Sequence, residues 1–256
     1  MPLRSSIHRE ILNPSPSAPR LVTVHGAMDR GNSFRALAQQ LSGVEVVIWD
    51  RAGYAHSLDA TPFDVEDQLA DLAAIVDEKP AVVLGHSLGG TYGLWLASLG
   101  HPHVLGVSTF ESPLPGGAWW GEGWGIDPLD AANGRVGSER AGALAEEFLR
   151  RMTSDAVWDR LPARTKELRR AEGVAFLREL GQLVTGRIAF DLGSIAVDVV
   201  AGVSSRPSHH HQLGLARLTE AVGATSYCVI DSRHGVHLTR PKALAEIITQ
   251  QLQRVG

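Results

Sequence analysis

Short apolar runs alternate with helix-like segments along most of this 256-residue chain, and this alternation constrains its fold more than any other feature. The runs are rich in Val and Ile and nearly continuous, as is typical of strands that are covered on both faces. They lie at 20–26, 44–50, 81–85, 104–111, 195–202 and 226–231. Segments with helical periodicity lie between most of them, at 29–42, 63–77, 88–99, 208–222 and 241–254. Strand–helix–strand repetition predicts an α/β fold whose mostly parallel, doubly wound sheet lies between two layers of helices.

One interval, 112–195, breaks this alternation because it contains no convincing strand. It opens with a turn-rich stretch, SPLPGGAWWGEGWG, that carries Trp119, Trp120 and Trp124. Two amphipathic helices are predicted to follow it. The apolar residues of the first are Ala141, Leu144, Phe148 and Met152, and those of the second are Leu168, Phe176 and Leu180. We therefore predict a core made of 1–111 and 196–256, with 112–195 inserted as a helical cap over the edge of the sheet.

Charge and cysteine content narrow the possible partners. The formal net charge is −4, so electrostatics give no reason to expect nucleic acid or an anionic membrane as a partner. Cys228 is the single cysteine, which excludes an intrachain disulfide, and its place in an apolar strand predicts a core position. The N-terminal stretch MPLRSSIHREILNPSPSAPR contains no long apolar run. We therefore expect a soluble, cytoplasmic protein without a membrane segment.

The segment AVVLGHSLGG, residues 81–90, places a serine between an apolar strand and a helix. Ser87 lies between Gly85 and Gly89, which fits the G-x-S-x-G nucleophile elbow in its required strand–turn–helix context. Larger side chains at the two glycine positions would collide with the neighbouring strand and helix. The tight turn would lift the Ser87 hydroxyl clear of the sheet at a helix N-terminus, where the dipole favours developing negative charge. A glycine-rich turn with an incidental serine is the alternative.

Four segments together resemble the α/β-hydrolase superfamily, and the resemblance extends over nearly the whole chain. They are HGAMDRGNSF (25–34), WDRAGYAHS (49–57), GHSLGG (85–90) and RHGVHLTRP (233–241). The first is similar to the family's His-Gly loop, the third matches its nucleophile elbow, and the fourth resembles the stretch around its catalytic histidine. The insertion lies where the family carries its cap. The resemblance implies an α/β-hydrolase fold and a triad in the chain order serine, acid, histidine.

The resemblance also implies a base for the serine and two donors for the oxyanion of an acyl-transfer reaction. The family pattern G-H-x-x-H-L-x-x-P places the catalytic histidine at His234, with His237 as the alternative. The oxyanion hole of the family uses the backbone N–H after the nucleophile, here that of Leu88, and one from the loop after the third strand. In that loop we assign Ala27, and Met28 is the alternative.

The triad acid departs from the commonest family pattern. That pattern has an Asp in the loop after the seventh strand, where VVAGVSSRPSHHH offers serines and histidines. Some α/β-hydrolases instead use the end of the sixth strand, which here carries Glu111. Because the family's fifth and sixth strands are neighbours, a carboxylate at this position would open onto the same crevice as Ser87. We therefore predict Glu111 as the acid, and Asp231 and Asp191 are the alternatives.

The remaining polar residues of the motifs are predicted to support the site. His25 and His86 are expected to be packing or hydrogen-bonding neighbours, and Asp50 and Arg51 to brace the loop after the family's fourth strand. Three consecutive histidines, 209–211, open a helix but point in different directions and have no carboxylate or cysteine at a fitting spacing. We therefore expect a solvated helix end there, with neither a metal nor a cofactor.

These features predict a serine hydrolase that cleaves an ester, lactone or thioester bond of a mostly apolar small molecule through a Ser87 acyl-enzyme. Trp119, Trp120 and Trp124 are expected to line the substrate pocket. Two alternatives stay open: an acyltransferase or cyclase that uses the same acyl-enzyme, and a ligand-binding receptor on a hydrolase scaffold. In each case the partner is a small molecule. The sequence carries no signal for the oligomeric state.

Overall fold

A computed structural model of the chain describes residues 2–116 and 125–256, and the strands in this range form one seven-stranded sheet. The strands are β1 (Arg9–Leu12), β2 (Arg20–Val24), β3 (Glu45–Trp49), β4 (Ala81–His86), β5 (Val104–Phe110), β6 (Asp198–Ser204) and β7 (Thr225–Val229). Their order is β1-β3-β2-β4-β5-β6-β7, with β1 antiparallel to β3 and the other neighbours parallel. The predicted α/β-hydrolase fold with a mostly parallel sheet is confirmed. The sequence pattern misses β1, because four partly buried residues with the sequence REIL give a weak signal.

Helices cover both faces of this sheet, as the alternating pattern predicts. They are α1 (Arg35–Ala38), α2 (Val65–Asp77), α3 (Leu88–Ser98), α4 (Pro128–Ala132), α5 (Ser138–Met152), α6 (Asp155–Asp159), α7 (Ala163–Ala171), α8 (Gly173–Val184), α9 (His209–Val222), α10 (Val236–Thr239) and α11 (Pro241–Val255). Side chains of β2 alternate between two core clusters. Leu21 belongs to the cluster with residues of α1 and α11, whereas Val22 belongs to the one with residues of α2 and α3. The sheet is therefore doubly wound, with an apolar layer on each face.

Helices α4 to α8 lie between β5 and β6, inside the interval that the sequence predicts as a cap. The first expected amphipathic helix is α5. The second is two helices, because α7 ends at Ala171 and α8 begins at Gly173. A Cβ atom at Gly173 would lie 2.4 Å from the carbonyl oxygen of Ala141, so the break is where α8 approaches the α5 backbone closely. Leu168 is 45% exposed on α7 and does not join the apolar face that contains Phe176. We refer to residues 128–184 below as the helical insertion.

Buried polar contacts fasten α8 to the core of the fold. The carboxylate of Glu179 is fully buried and accepts hydrogen bonds from the guanidinium of Arg51 and from the hydroxyls of Tyr54 (2.5 Å) and Tyr92 (2.8 Å). The side-chain oxygen of Gln182 accepts the Val65 N–H at 3.0 Å, at the start of α2. A buried charge is stable only when it is paired and hydrogen-bonded, so this arrangement specifies one position for α8 over the sheet.

Cys228 does not lie in the core as the sequence pattern predicts. It is exposed on β7, which is the edge strand beside β6, and most of the residues of this strand face solvent on at least one side. An edge strand is covered less completely than a central one, and a run of apolar letters does not reveal that difference. Among the described residues, none of the helices has both the length and the apolar character needed to cross a membrane.

Candidate active site

Ser87 occupies the sharp turn between β4 and α3, in the backbone conformation φ 52°, ψ −129°. A Cβ atom at Gly85 would lie 2.2 Å from the Gly90 Cα, and one at Gly89 would lie 2.0 Å from the Val24 carbonyl oxygen. Neither position can hold a larger residue without moving backbone atoms. The two glycines therefore allow β4 and α3 to meet closely enough to force the serine into a conformation that residues with a Cβ rarely adopt.

Parallel pairing of β4 and β5 brings Glu111 to the same edge of the sheet as the serine. His86 and Phe110 are register partners, so Ser87 and Glu111 each follow the last residue of a neighbouring strand. The Ser87 N–H donates to the Phe110 carbonyl at 2.9 Å. Glu111 also has a positive φ, 49°. Two adjacent strands thus end in strained polar residues, and strain of this kind is concentrated at functional sites.

Glu111 contacts the histidine that the family pattern selects. Its Oε2 accepts a hydrogen bond from His234 Nδ1 at 2.7 Å, and its Oε1 accepts the N–H (2.9 Å) and hydroxyl (2.5 Å) of Ser204. Burial raises the pKa of Glu111, but the hydrogen bonds from His234 and Ser204 outweigh it and bring the pKa to about 2. The carboxylate is therefore ionised and holds the His234 proton on Nδ1. In the neutral tautomer that this hydrogen bond favours, Nε2 is the nitrogen without a proton.

The rival acids lie in other environments. Asp231 is exposed at the turn after β7, with a φ of 52°. Asp191 is exposed too, and its carboxylate accepts the Gly193 N–H at 2.9 Å at the start of a short 3-10 turn. The carboxylate that the structure places against His234 is that of Glu111.

His237, the rival base, pairs with a different acid. Its Nε2 donates to Asp29 Oδ2 at 3.0 Å, and its side chain is 1% exposed. His86 lies between the two histidines, with ring centroids 4.5 Å from His234 and 4.4 Å from His237. Its Nε2–H donates to the His234 carbonyl at 2.8 Å. Burial, followed by the nearby His237 and His234, takes the pKa of His86 well below its usual range, so it is a neutral ring that supports the His234 backbone.

The His-Gly loop packs directly on the elbow. A Cβ atom at Gly26 would lie 2.9 Å from the Ser87 Cβ, so the loop can approach the serine only with glycine there. His25 accepts the Arg51 N–H on Nε2 at 2.9 Å and donates from Nδ1 to the Gly26 carbonyl at 2.8 Å. Burial and then Arg51 lower the pKa of His25 to about 3, so the ring is neutral. Arg51 braces this loop from the end of β3. Asp50 does the same, because it accepts the Gly31 N–H at 2.8 Å.

The residues assigned to the oxyanion hole lie beside the serine. Ala27 follows Gly26, and Leu88 is the first residue of α3, so its N–H has no acceptor within the helix. Both residues line the cavity that contains Ser87. Met28 has a φ of 57° and is buried, which places it in the core behind the loop.

All five residues assigned to the chemistry line one cavity of about 450 Å³. They share it with apolar side chains from the core and the helical insertion and with polar ones at its rim. The lining residues are Ala27, Ser87, Leu88, Glu111, Pro113, Phe148, Arg151, Met152, Leu180, Arg206, Ser208, His210, His211 and His234. Trp119, Trp120 and Trp124 lie outside the described residues, so their assignment to the pocket stays a prediction.

His211 is a part of the site that the sequence reading misses. Its ring stacks on His234 with centroids 5.1 Å apart and an interplanar angle of 6°. Its Nδ1 lies 3.5 Å from Glu111 Oε2, and its side chain is 11% exposed. Burial, followed by His234, lowers the pKa of His211 to about 3. The expectation of a solvated helix end is therefore wrong for this residue. Three adjacent histidines do signal a site, but the carboxylate that one of them contacts is a hundred residues away in the chain.

Comparisons with known proteins identify the fold and the family. An enol-lactonase from Burkholderia xenovorans LB400 superimposes with a TM-score of 0.71 at 19% identity, over 96% of each chain. A thermophilic esterase from Thermogutta terrifontis gives 0.68 at 16% identity, over 97% of this chain and 93% of that one. The lipase LipV of Mycobacterium tuberculosis is 34% identical over 87 residues. This match covers 32% of this chain and 33% of LipV, so it spans only about a third of that protein. The model of the alpha/beta hydrolase family matches residues 21–247. With the sheet order and the elbow, this match shows that the chain belongs to the alpha/beta hydrolase family.

Proposed function

We propose that the protein is a serine hydrolase that cleaves an ester, lactone or thioester bond of a mostly apolar small molecule through an acyl-enzyme on Ser87. One observation carries the proposal. The elbow serine and the ionised Glu111–His234 pair, which leaves a histidine nitrogen free to act as a base, open onto the same cavity. A turn with an incidental serine would not require a histidine and a buried carboxylate beside it.

The chemistry follows from the proton positions. His234 Nε2 accepts the Ser87 hydroxyl proton as Oγ attacks the substrate carbonyl, and Glu111 stabilises the imidazolium that forms. The N–H groups of Ala27 and Leu88 donate to the oxyanion of the tetrahedral intermediate. The intermediate collapses to the acyl-enzyme, and His234 returns the proton to the departing alcohol or thiol. Water then attacks the acyl carbon, with His234 again as the base. As this second intermediate collapses, His234 returns the proton to the Ser87 oxygen and the carboxylic acid product leaves.

The lining of the cavity supports an apolar acyl or alcohol group. Phe148, Met152 and Leu180 from the helical insertion line it together with Pro113 and Leu88. Burying apolar substrate surface against such side chains supplies roughly 25 cal/mol per Å², which favours longer chains until the cavity is full. A cavity of about 450 Å³ holds a small molecule rather than a polymer segment.

A covalent probe and a substrate series test the proposal. An organophosphonate or sulfonyl fluoride should add one equivalent that peptide mass spectrometry locates on Ser87. Hydrolysis of p-nitrophenyl esters of increasing chain length should be rapid, and Ser87→Ala should fold normally but lose roughly 10³-fold or more in kcat. Ser205→Ala, which changes a serine after β6, is the matched control and should keep its activity. An adduct on another residue would contradict the mechanism, and tight ligand binding without turnover would instead support a receptor.

A further inference from the structure

Glu111, His211 and His234 each offer one metal-ligating atom, and these atoms all lie within 4.8 Å of one another. The three residues come from the end of β5, the start of α9 and the loop after β7. Glu111 Oε2 is 2.7 Å from His234 Nδ1 and 3.5 Å from His211 Nδ1. All three residues line the cavity that contains Ser87.

Two imidazoles and one carboxylate form a ligand set that suits zinc. Protein sites that bind Zn²⁺ through three residues keep a fourth, open position for water or another small ligand. Zinc–ligand bonds of about 2.0–2.2 Å in a tetrahedron place the ligand atoms about 3.3–3.5 Å apart. The His211–Glu111 distance already has this value. The His234–Glu111 distance must open by roughly half an ångström, and His211 must give up its 2.9 Å contact with the exposed Ser208 hydroxyl. Because the two imidazole planes are only 6° apart, one ring must also turn before both nitrogens can point at the same ion.

We propose that Glu111, His211 and His234 form a binding site for a divalent transition-metal ion, of which Zn²⁺ is the best match, and that the bound ion inhibits the enzyme. A neutral imidazole carries one proton. When the ion takes Nδ1 of His234, that proton must move to Nε2, so the nitrogen that would receive the Ser87 proton is no longer a base. The same ion also draws the carboxylate of Glu111 away from its hydrogen bond with His234. No bond is made to Ser87, so removal of the ion restores activity.

Two other groups of three residues differ from this one. Asp29, His86 and His237 also have ligand atoms within 4.8 Å, but His86 Nε2 is committed to the His234 carbonyl and the group does not line the Ser87 cavity. His8, Asp50 and His56 line a separate cavity of about 280 Å³. The residues that line that second cavity do not include Ser87, Glu111 or His234, so His56→Gln serves as a matched control.

The binding half of this proposal does not depend on the proposed function, whereas the inhibition half rests on it. Zinc binding is measured on the full chain, with any affinity tag removed, by competition with a chromophoric chelator. Ser87→Ala should bind Zn²⁺ as the wild type does. His211→Phe keeps an aromatic ring against His234 but removes the ligand, and His211→Gln removes both. Each should weaken binding at this site by at least about tenfold.

Inhibition is measured in parallel as the Zn²⁺ concentration that halves p-nitrophenyl ester hydrolysis. We expect EDTA to reverse it, both His211 variants to raise that concentration at least about tenfold, and His56→Gln to leave it unchanged. If both His211 variants bind Zn²⁺ and are inhibited as the wild type is, the proposal is wrong. It is also wrong if His56→Gln abolishes the inhibition. If no ester is hydrolysed, the proposed function fails, and the chelator competition still decides whether the metal site exists.

Discussion

Two histidines three residues apart in the chain, His234 and His237, each pair with a carboxylate, and only the first of these pairs lines the cavity that contains Ser87. In the first, which we call the pocket pair, His234 contacts Glu111, is 22% exposed and lines the cavity with Ser87. In the second, the buried pair, His237 contacts Asp29 at 3.0 Å and is 1% exposed. The hydrogen bonds are similar, so a histidine beside a carboxylate does not by itself identify a base. What distinguishes the pocket pair is that His234 and Glu111 line the same cavity as Ser87.

The buried pair has a structural consequence for the pocket pair. Asp29 lies two residues after Ala27 in the His-Gly loop, and His237 lies three residues after His234 in α10. Their contact therefore joins the loop that carries the proposed oxyanion donor to the segment that carries the proposed base. His237 also stacks on Phe34, with ring centroids 4.6 Å apart. We infer that the buried pair holds the two loops in register, which is a positioning role rather than a catalytic one.

The largest expected difference between the pairs is the loss of kcat when each histidine is replaced. His234→Gln should lower kcat by about 10⁴-fold or more, because it removes the imidazole that Glu111 orients as the proposed base. His237→Gln should change kcat only severalfold but lower the free energy of unfolding by about 1–3 kcal/mol, since Asp29 loses its partner. Both quantities are measured on each variant, by ester hydrolysis and by urea unfolding. Equal losses of kcat in the two variants would mean that both pairs take part in catalysis.

The carboxylates should show the same division with a smaller effect on rate. Glu111→Gln should keep the fold and lower kcat by about 10²–10⁴-fold, because the amide neither stabilises the imidazolium nor fixes the tautomer. Asp29→Asn, Asp231→Asn and Asp191→Asn should each keep most of the activity. If Glu111→Gln stays active while either of the last two variants is inactive, the acid has been assigned wrongly.

The sequence predicts the backbone around Ser87 and Glu111 well. The elbow and its glycines follow from a local strand–turn–helix motif, and the neighbouring position of β4 and β5 follows from the resemblance to the α/β-hydrolase family. The neighbouring ends of β4 and β5 bring Glu111 to the sheet edge that carries Ser87. The loop after β7 opens at the same edge and brings His234 to Glu111, although these two residues are 123 positions apart. Strand order converts a long separation into a contact, so that contact could be predicted.

The features of the site and the core that the sequence does not predict depend on contacts between side chains, and the order of the strands does not specify these contacts. His211 reaches Glu111 only because of the angle at which α9 starts, and the buried Arg51–Glu179 pair joins residues 128 positions apart across the helical insertion. A charged residue on an amphipathic helix usually faces solvent, so Glu179 gives no sign in the sequence that it is buried. The sequence also fails to predict that Cys228 is exposed, because a run of apolar residues does not show whether its strand lies at the edge of the sheet.

The pH dependence of the free energy of unfolding should show that the buried pair contributes to stability through the charge of Asp29. Burial raises the pKa of Asp29, but the hydrogen bond from His237 outweighs it and holds that pKa below its usual range. A depressed pKa stabilises the fold above the unfolded-state value of about 3.9, and this contribution is lost as the pH falls below it. Asp29→Asn should therefore be less stable than the wild type by about 1–2 kcal/mol at pH 7. The difference should shrink below about pH 4, as measured by urea unfolding at pH 7, 5 and 3.5. A difference that is the same at pH 7 and pH 3.5 would show that the Asp29 charge is not its source.

The smallest expected effect concerns the serine that supports each carboxylate. Ser204 donates its hydroxyl to Glu111 Oε1 at 2.5 Å, and the Ser33 hydroxyl lies 3.1 Å from Asp29 Oδ2. Removing a hydrogen bond to a charged group costs about 1.5–3 kcal/mol, of which only the part that is larger in the transition state affects kcat. Because Glu111 keeps the Ser204 N–H at 2.9 Å in the variant, Ser204→Ala should lower kcat by about threefold to tenfold. Ser33→Ala removes the equivalent contact from the buried pair and should leave kcat unchanged. If Ser33→Ala lost as much rate as Ser204→Ala, the division between the two pairs would be contradicted. Such a result would mean that the buried carboxylate of Asp29 also responds to the charge that develops during the reaction at Ser87.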